Sequence, residues 1–191
     1  MVTDAGASRR ALLSGAGAAL TGAVALTLGG CGGPATGRTA VKQLPRPVME
    51  RDVEVLGQAL ELERRTVAAY VAGIPLLSHP LAKVARQFLN EELQHTGELI
   101  SLITAAGAKP PPRADSYELG HPRDAAGVLA LLHSLEALQI KTYLQSIPRL
   151  SPGPVRAAAA SILTVDSQHI AMLRLAQGET PVPSAFVTGS E

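Results

Sequence analysis

Residues 53–74 read VEVLGQALELERRTVAAYVAGI. Within them Val53, Leu56, Leu60, Glu63, Val67, Tyr70 and Ile74 recur at alternating steps of three and four. That rhythm lines one face of an α-helix, and an apolar face of this kind is meant for a core. Glu63 and the hydroxyl of Tyr70 are out of place there, seven residues apart on the same face. The pair recurs at Glu136 and Tyr143, 73 residues further on. The second stripe reads Leu129, Leu132, Glu136, Ile140, Tyr143 and Ile147.

A second motif is also doubled. Glu92-Leu93-Gln94-His95 is matched by Asp166-Ser167-Gln168-His169, 74 residues later. A step of three keeps each carboxylate beside its imidazole. The stripe around the first copy is Leu81, Ala85, Phe88, Glu92, His95, Leu99, Leu102 and Ala106. Around the second it is Val155, Ala159, Ile162, Asp166, His169, Leu173 and Ala176. The chain thus predicts four amphipathic helices whose inner faces gather four carboxylates and two imidazoles at one level. This is the ligand set of a di-metal carboxylate site in a helical bundle.

Glycine and proline punctuate the four segments. Gly73 and Pro75 close the first, Pro80 opens the second, and Gly107 followed by Pro110, Pro111 and Pro112 closes it. Pro122 opens the third and Pro148 closes it; Ser151 caps the fourth, with Pro152 at its first position, and Gly178 ends it. Tight connections make helices one and two antiparallel, and likewise three and four. Residues 108–121 between the hairpins are longer and proline-rich. Extended, they reach roughly 45 Å, whereas a helix of 25 residues is about 38 Å long. The segment can therefore cross the whole bundle. The expected fold is all-α: an antiparallel four-helix bundle over residues 49–178, with one long crossover between helices two and three and a tail at 179–191.

Composition agrees. The 191 residues are 46% apolar and 17% charged, with two phenylalanines, three tyrosines and no tryptophan, so the core is aliphatic. Such a core favours helices over a β-sandwich or barrel. A formal net charge of +1 with no basic cluster excludes a nucleic-acid surface.

Ahead of the bundle, Arg9 and Arg10 precede an apolar run over residues 11–30, which ends Leu28-Gly29-Gly30-Cys31. This resembles a twin-arginine export signal finishing in a lipoprotein box. It implies cleavage after residue 30, a lipid on Cys31, a flexible tether over 31–48, and a location on the outer face of a cell membrane. The alternative is an uncleaved anchor, for which the run is long enough but, with five glycines, weakly hydrophobic. Removal of residues 1–30 takes away Arg9, Arg10 and Asp4 and leaves no net charge. Cys31 is the one cysteine, so no disulfide forms within a chain.

Six buried polar groups at one level need compensation. Two divalent cations would neutralise four carboxylates, and oxygen with imidazole donors suits iron, manganese or zinc. In this reading Glu63 and Glu136 are terminal ligands, Glu92 and Asp166 bridge, and His95 and His169 each cap one metal. Tyr70 and Tyr143 are hydrogen-bond donors to those ligands. The plain alternatives are solvated faces for the carboxylates, core histidines, and ordinary core tyrosines. Glu61, Glu91 and Glu98 read as outward-facing, His79 and His121 as loop residues, and His133 as surface.

With these motifs over residues 50–178, the chain resembles the ferritin-like superfamily, the bacterioferritin and rubrerythrin type in particular. In that family the helices carry, in order, Glu, Glu-x-x-His, Glu and Glu-x-x-His, and Tyr70 matches a tyrosine of bacterioferritins. The resemblance implies a di-iron or di-manganese centre that oxidises ferrous iron or consumes dioxygen or peroxide. Asp166 departs from the pattern, being one methylene, about 1.5 Å, shorter than glutamate. It leaves a second reading open, a metal-free scaffold or partner-binding module. Cage-type iron storage sits badly with a lipid anchor. Pairing into a homodimer is left open.

Overall fold

The computed structural model describes residues 46–151 and 153–191. The apolar run, Cys31, most of the tether and Pro152 lie outside the described residues. Among the described residues there are four long helices and no strand: α1 Arg46–Gly73, α2 His79–Ala105, α3 Ala125–Ser146 and α4 Pro154–Ala176. None of them is long and apolar enough to cross a membrane. α1 starts at Arg46, three residues before the expected start of the bundle at residue 49.

Two apolar clusters show how the helices run. One joins Tyr70 and Ile74 of α1 to Ala82, Ala85 and Phe88 of α2, Val128, Leu129 and Leu132 of α3, and Leu173 of α4. The other joins Leu56 and Leu60 to Leu99 and Ile103, Tyr143, and Ala159 and Ile162. The end of α1 therefore meets the starts of α2 and α3 and the end of α4. α2 and α3 run parallel, and α1 and α4 run opposite to them. The crossover travels along α1 from one cluster to the other. Ala108 packs on the second cluster and Leu119 on the first. On the way Pro111 and Glu118 accept hydrogen bonds from Arg64 (2.9 Å) and Arg65 (3.1 Å).

The two hairpins repeat one another in their turns as well. Ile74–Leu76 and Ile147–Arg149 are short 3₁₀ turns, each built on an Ile-Pro pair. Gly107 (φ 80°) and Gly178 (φ 78°) stop α2 and α4 in the left-handed conformation. There Ala108 N–H donates to Ile103 O (3.1 Å) and Glu179 N–H to Arg174 O (2.9 Å), the glycine-dependent helix stop. Gly73 is required for a different reason. A Cβ there would lie 2.6 Å from Val128 Cγ1, so α1 and α3 approach too closely for a side chain.

Several boundaries differ from expectation. α3 begins at Ala125, not near Pro122, because Asp124 is its cap and accepts a hydrogen bond from Gly127 N–H at 2.8 Å. α4 begins at Pro154 after Gly153 (φ 101°), and Ser151 is not its cap. Ser151 is instead buried, and its N–H donates to Asp52 Oδ1 at 2.9 Å, tying the α3–α4 turn to the start of α1. Ile103 rather than Leu102 is fully buried near the end of α2. His79 is the first residue of α2 rather than a loop residue. His133 is half-buried, its Nε2 enclosed without a partner.

Candidate metal centre

Between the two apolar clusters lies a polar layer. Glu63, Glu92, His95, Glu136, Asp166 and His169 are all buried in it. α1 and α3 each contribute one carboxylate, and α2 and α4 each contribute a carboxylate–imidazole pair. Their donor atoms fall into two groups, each with all members within 4.8 Å of one another. One comprises Glu92, Glu136, Asp166 and His169; the other comprises Glu63, Glu92 and His95. Glu92 is shared, the property a bridging ligand needs. Asp166 belongs to the first group alone, although its Oδ1 lies 3.5 Å from His95 Nδ1. Its shorter side chain makes the layer asymmetric.

The tyrosines cross the bundle. Tyr70 on α1 donates to Glu136 Oε1 on α3, and Tyr143 on α3 donates to Glu63 Oε1 on α1, both at 2.7 Å. Two residues that the apolar stripes do not mark complete the network. Gln139 Nε2 donates to Glu63 Oε2 (2.7 Å) and Glu92 Oε2 (3.0 Å). Its Oε1 accepts from Thr66 Oγ1 (3.0 Å). A signal for both existed: Gln139 follows Glu136 by three, and Thr66 follows Glu63 by three, the same step as in the carboxylate–histidine pairs.

Glu91 is the other correction. It does not simply face outward: its Oε2 lies 2.8 Å from Nε2 of His169, and its side chain is 31% exposed. His169 Nδ1 lies 3.2 Å from Glu136 Oε1 and 3.3 Å from Glu92 Oε1, and Phe88 stacks on the ring with centroids 4.0 Å apart. The ring is thereby fixed with one nitrogen toward the layer and the other toward a carboxylate, the arrangement that orients histidine ligands. For His95 only Nδ1 is so placed, 3.5 Å from Glu92 and 3.7 Å from Glu63. Both rings border a cleft between α2 and α4 that also includes Glu91, Gln94 and Gln168.

Burial, aided by the charge of Glu92, holds the carboxyls of Glu63 and Glu136 above the usual carboxylate range. Burial, followed by the charge of Glu63, does the same for Asp166. Burial alone would raise Glu92 too, but the His169 and His95 imidazoles beside it drive it below that range. Burial disfavours charge on the imidazoles, yet it is outweighed. Glu63 and Glu92 bring His95 up to about 9, and Glu136 and Glu92 bring His169 up to about 11. Burial, followed by the Glu136 carboxylate, pushes the Tyr70 phenol up; burial, followed by Glu63, does the same for Tyr143. Both phenols therefore stay protonated as donors.

The donor set fits divalent cations. Of nine buried side-chain atoms without a hydrogen-bond partner among the described residues, five belong to this layer. They are Glu92 Oε1, Glu136 Oε2, both oxygens of Asp166, and His95 Nδ1. An orphaned buried acceptor costs roughly 1–3 kcal/mol, more when charged. Five in one layer are a reason for a ligand that takes electron pairs.

Comparison with known proteins gives a consistent picture. The family model described as a ferritin-like domain matches residues 35–179. Among solved structures, the chain is similar to a conserved hypothetical protein from Mycobacterium tuberculosis. The identity is 20% and the TM-score 0.65, over 72% of this chain and 97% of the other. It is also similar to ferritin-like, diiron-carboxylate proteins from Bacillus anthracis str. Ames. There the identity is 15% and the TM-score 0.60, over 68% of this chain and 96% of the other. At these identities the likeness speaks for the fold alone. No curated protein matches the sequence.

Proposed function

The chain belongs to the ferritin-like domain family, and we propose that it binds two divalent metal ions, iron or manganese, in the polar layer of its bundle. It would oxidise ferrous iron or consume dioxygen or peroxide. The observation that carries this reading is the convergence of four carboxylates and two imidazoles from four helices around Glu92, with five of their atoms unpartnered. The diiron-carboxylate neighbour of the same fold supports it.

Glu92 joins the two donor groups. Glu136 and His169 flank one side, Glu63 and His95 the other. Tyr70 and Tyr143 hold Glu136 and Glu63 in place and keep one oxygen of each from swinging. Glu91 holds His169 from outside. Two reduced metal ions, when bound, would supply the electrons that an oxidant takes up. The apolar clusters close the layer above and below, and the cleft between α2 and α4 borders it at the side. Substitution of Glu92→Ala together with His95→Ala should abolish metal binding in equilibrium dialysis with manganese while the helical circular dichroism remains. Retained stoichiometry would refute the ligand assignment.

We place this activity outside the cell, on a lipid anchor at Cys31, from the twin-arginine and lipoprotein motifs of residues 9–31. Cys31→Ser should release the protein from membranes in a fractionation of the producing cell. Continued membrane association would favour an uncleaved anchor.

One observation favours a second reading. Gln139 donates to both Glu63 and Glu92, so the smaller donor group is already partly satisfied by protein. In that reading the layer is a hydrogen-bonded relic inside a metal-free scaffold, and the chain works through a partner.

A further inference from the structure

We infer that an apolar cavity beside the polar layer is a binding site for one small apolar molecule, about the size of a single aromatic ring. The cavity lies at the end of the bundle where α1 finishes and has a volume of about 210 Å³. Its walls include Tyr70, Val84, Phe88, Leu129, Met172 and Leu175. No charged side chain lines it, and the hydroxyl of Tyr70, its one polar side-chain group, is already donated to Glu136.

The lining decides what can enter. A buried water needs two to four polar partners, and this cavity does not offer them. An engineered cavity of roughly 150 Å³ lined by Leu, Ile and Phe stays dry and binds benzene or xenon. The present one is larger and equally apolar, but it opens to solvent past Met172 and Leu175. A helix with its side chains is about 10–12 Å across, too wide for such a space. The occupant is therefore a small molecule.

The position of the cavity gives the site a consequence. Its inner wall is shared with the polar layer, since the Tyr70 phenol bonds Glu136 at 2.7 Å and Phe88 stacks on His169 at 4.0 Å. A molecule seated there rests against the two rings that touch candidate metal ligands. At the outer end Met172 is 45% and Leu175 56% exposed. A flexible thioether beside a half-exposed leucine is a mouth that can open and re-form. Occupation of the cavity does not require a bound metal.

Benzene is the probe. In the metal-free full chain, added benzene should raise Tm saturably, as a ligand held only by the native state does. Val84→Phe places a ring inside the cavity and should remove the rise. Ala176→Leu, a gentler filling at the exposed end of α4, should reduce it, and serves if the first variant does not fold. A Tm that benzene leaves unchanged in the wild-type chain overturns the inference. So does a rise that survives every folded cavity-filled variant. A dimer in sedimentation that Leu175→Glu dissociates would make the mouth a contact between copies, and overturns it too. Since the protein is metal-free throughout, a negative result here leaves the metal reading standing, and failure to bind metal leaves the benzene result standing.

Discussion

At the scale of single residues, Glu92 organises the layer. Of the layer's four carboxylates it alone is held below the usual range, by the His169 and His95 imidazoles beside it. The metal-free protein at neutral pH therefore holds both imidazoles charged, while burial favours the protonated forms of Glu63, Glu136 and Asp166. All five groups bind protons more tightly folded than unfolded, so stability falls as pH rises. For the histidines the loss starts above their unfolded value near 6.5 and runs through about 9 for His95 and about 11 for His169. Tm of the metal-free chain should therefore drop steadily between pH 6.5 and pH 10 in a calorimetric series. Saturating manganese should remove that slope, because metal displaces the same protons. A metal-free profile that stays flat would contradict this distribution of protons over the layer. The main polar groups were legible from spacing, because a charge inside an apolar stripe stands out. Glu91 was not, because its position adjacent to Glu92 turns it off the stripe; only the tertiary approach of α4 gives it His169. Gln139 was hidden by its neutrality, although its step of three from Glu136 repeats the motif.

At the scale of elements, the molecule is one helical hairpin used twice. The glutamate–tyrosine pairs and the Ile-Pro turns all repeat at an offset of 73. Helix existence and direction were readable from that repetition, and the crossover from its length and prolines. Helix starts were read less well. Pro122 and Ser151 are each acceptable openers by local rules, but Asp124 supplies a real side-chain acceptor, and Asp52 captures the Ser151 N–H from across the bundle. Local rules do not see that second partner. Close approach at Gly73 was also invisible, since a glycine at a helix end looks like a stop. Gly73→Ala tests it. Alanine is favoured over glycine in a helix by about 1 kcal/mol, but overpacking costs typically 1–3 kcal/mol, and Val128 is fully buried and stiff at χ1. The urea midpoint should fall, by a stability loss of up to about 2 kcal/mol. A rise in the midpoint would mean that α1 and α3 have slack at this level.

At the scale of the whole molecule, the bundle is a stack of three layers: apolar, polar, apolar. The stack was legible because the polar residues of all four stripes fall near mid-helix. The cavity was not, because Val84, Phe88 and Leu129 are ordinary core residues until the helices leave a gap between them. Asp166 sharpens the functional question, since it leaves one donor group with four members and the other with three. Both groups are nonetheless expected to fill. Anomalous X-ray scattering from crystals of the manganese-loaded full chain tests this most directly. Two anomalous peaks within the polar layer, one on either side of Glu92, are the expected result. Peaks only at the surface, or none, with Gln139 still bonded to Glu63 and Glu92, would contradict it.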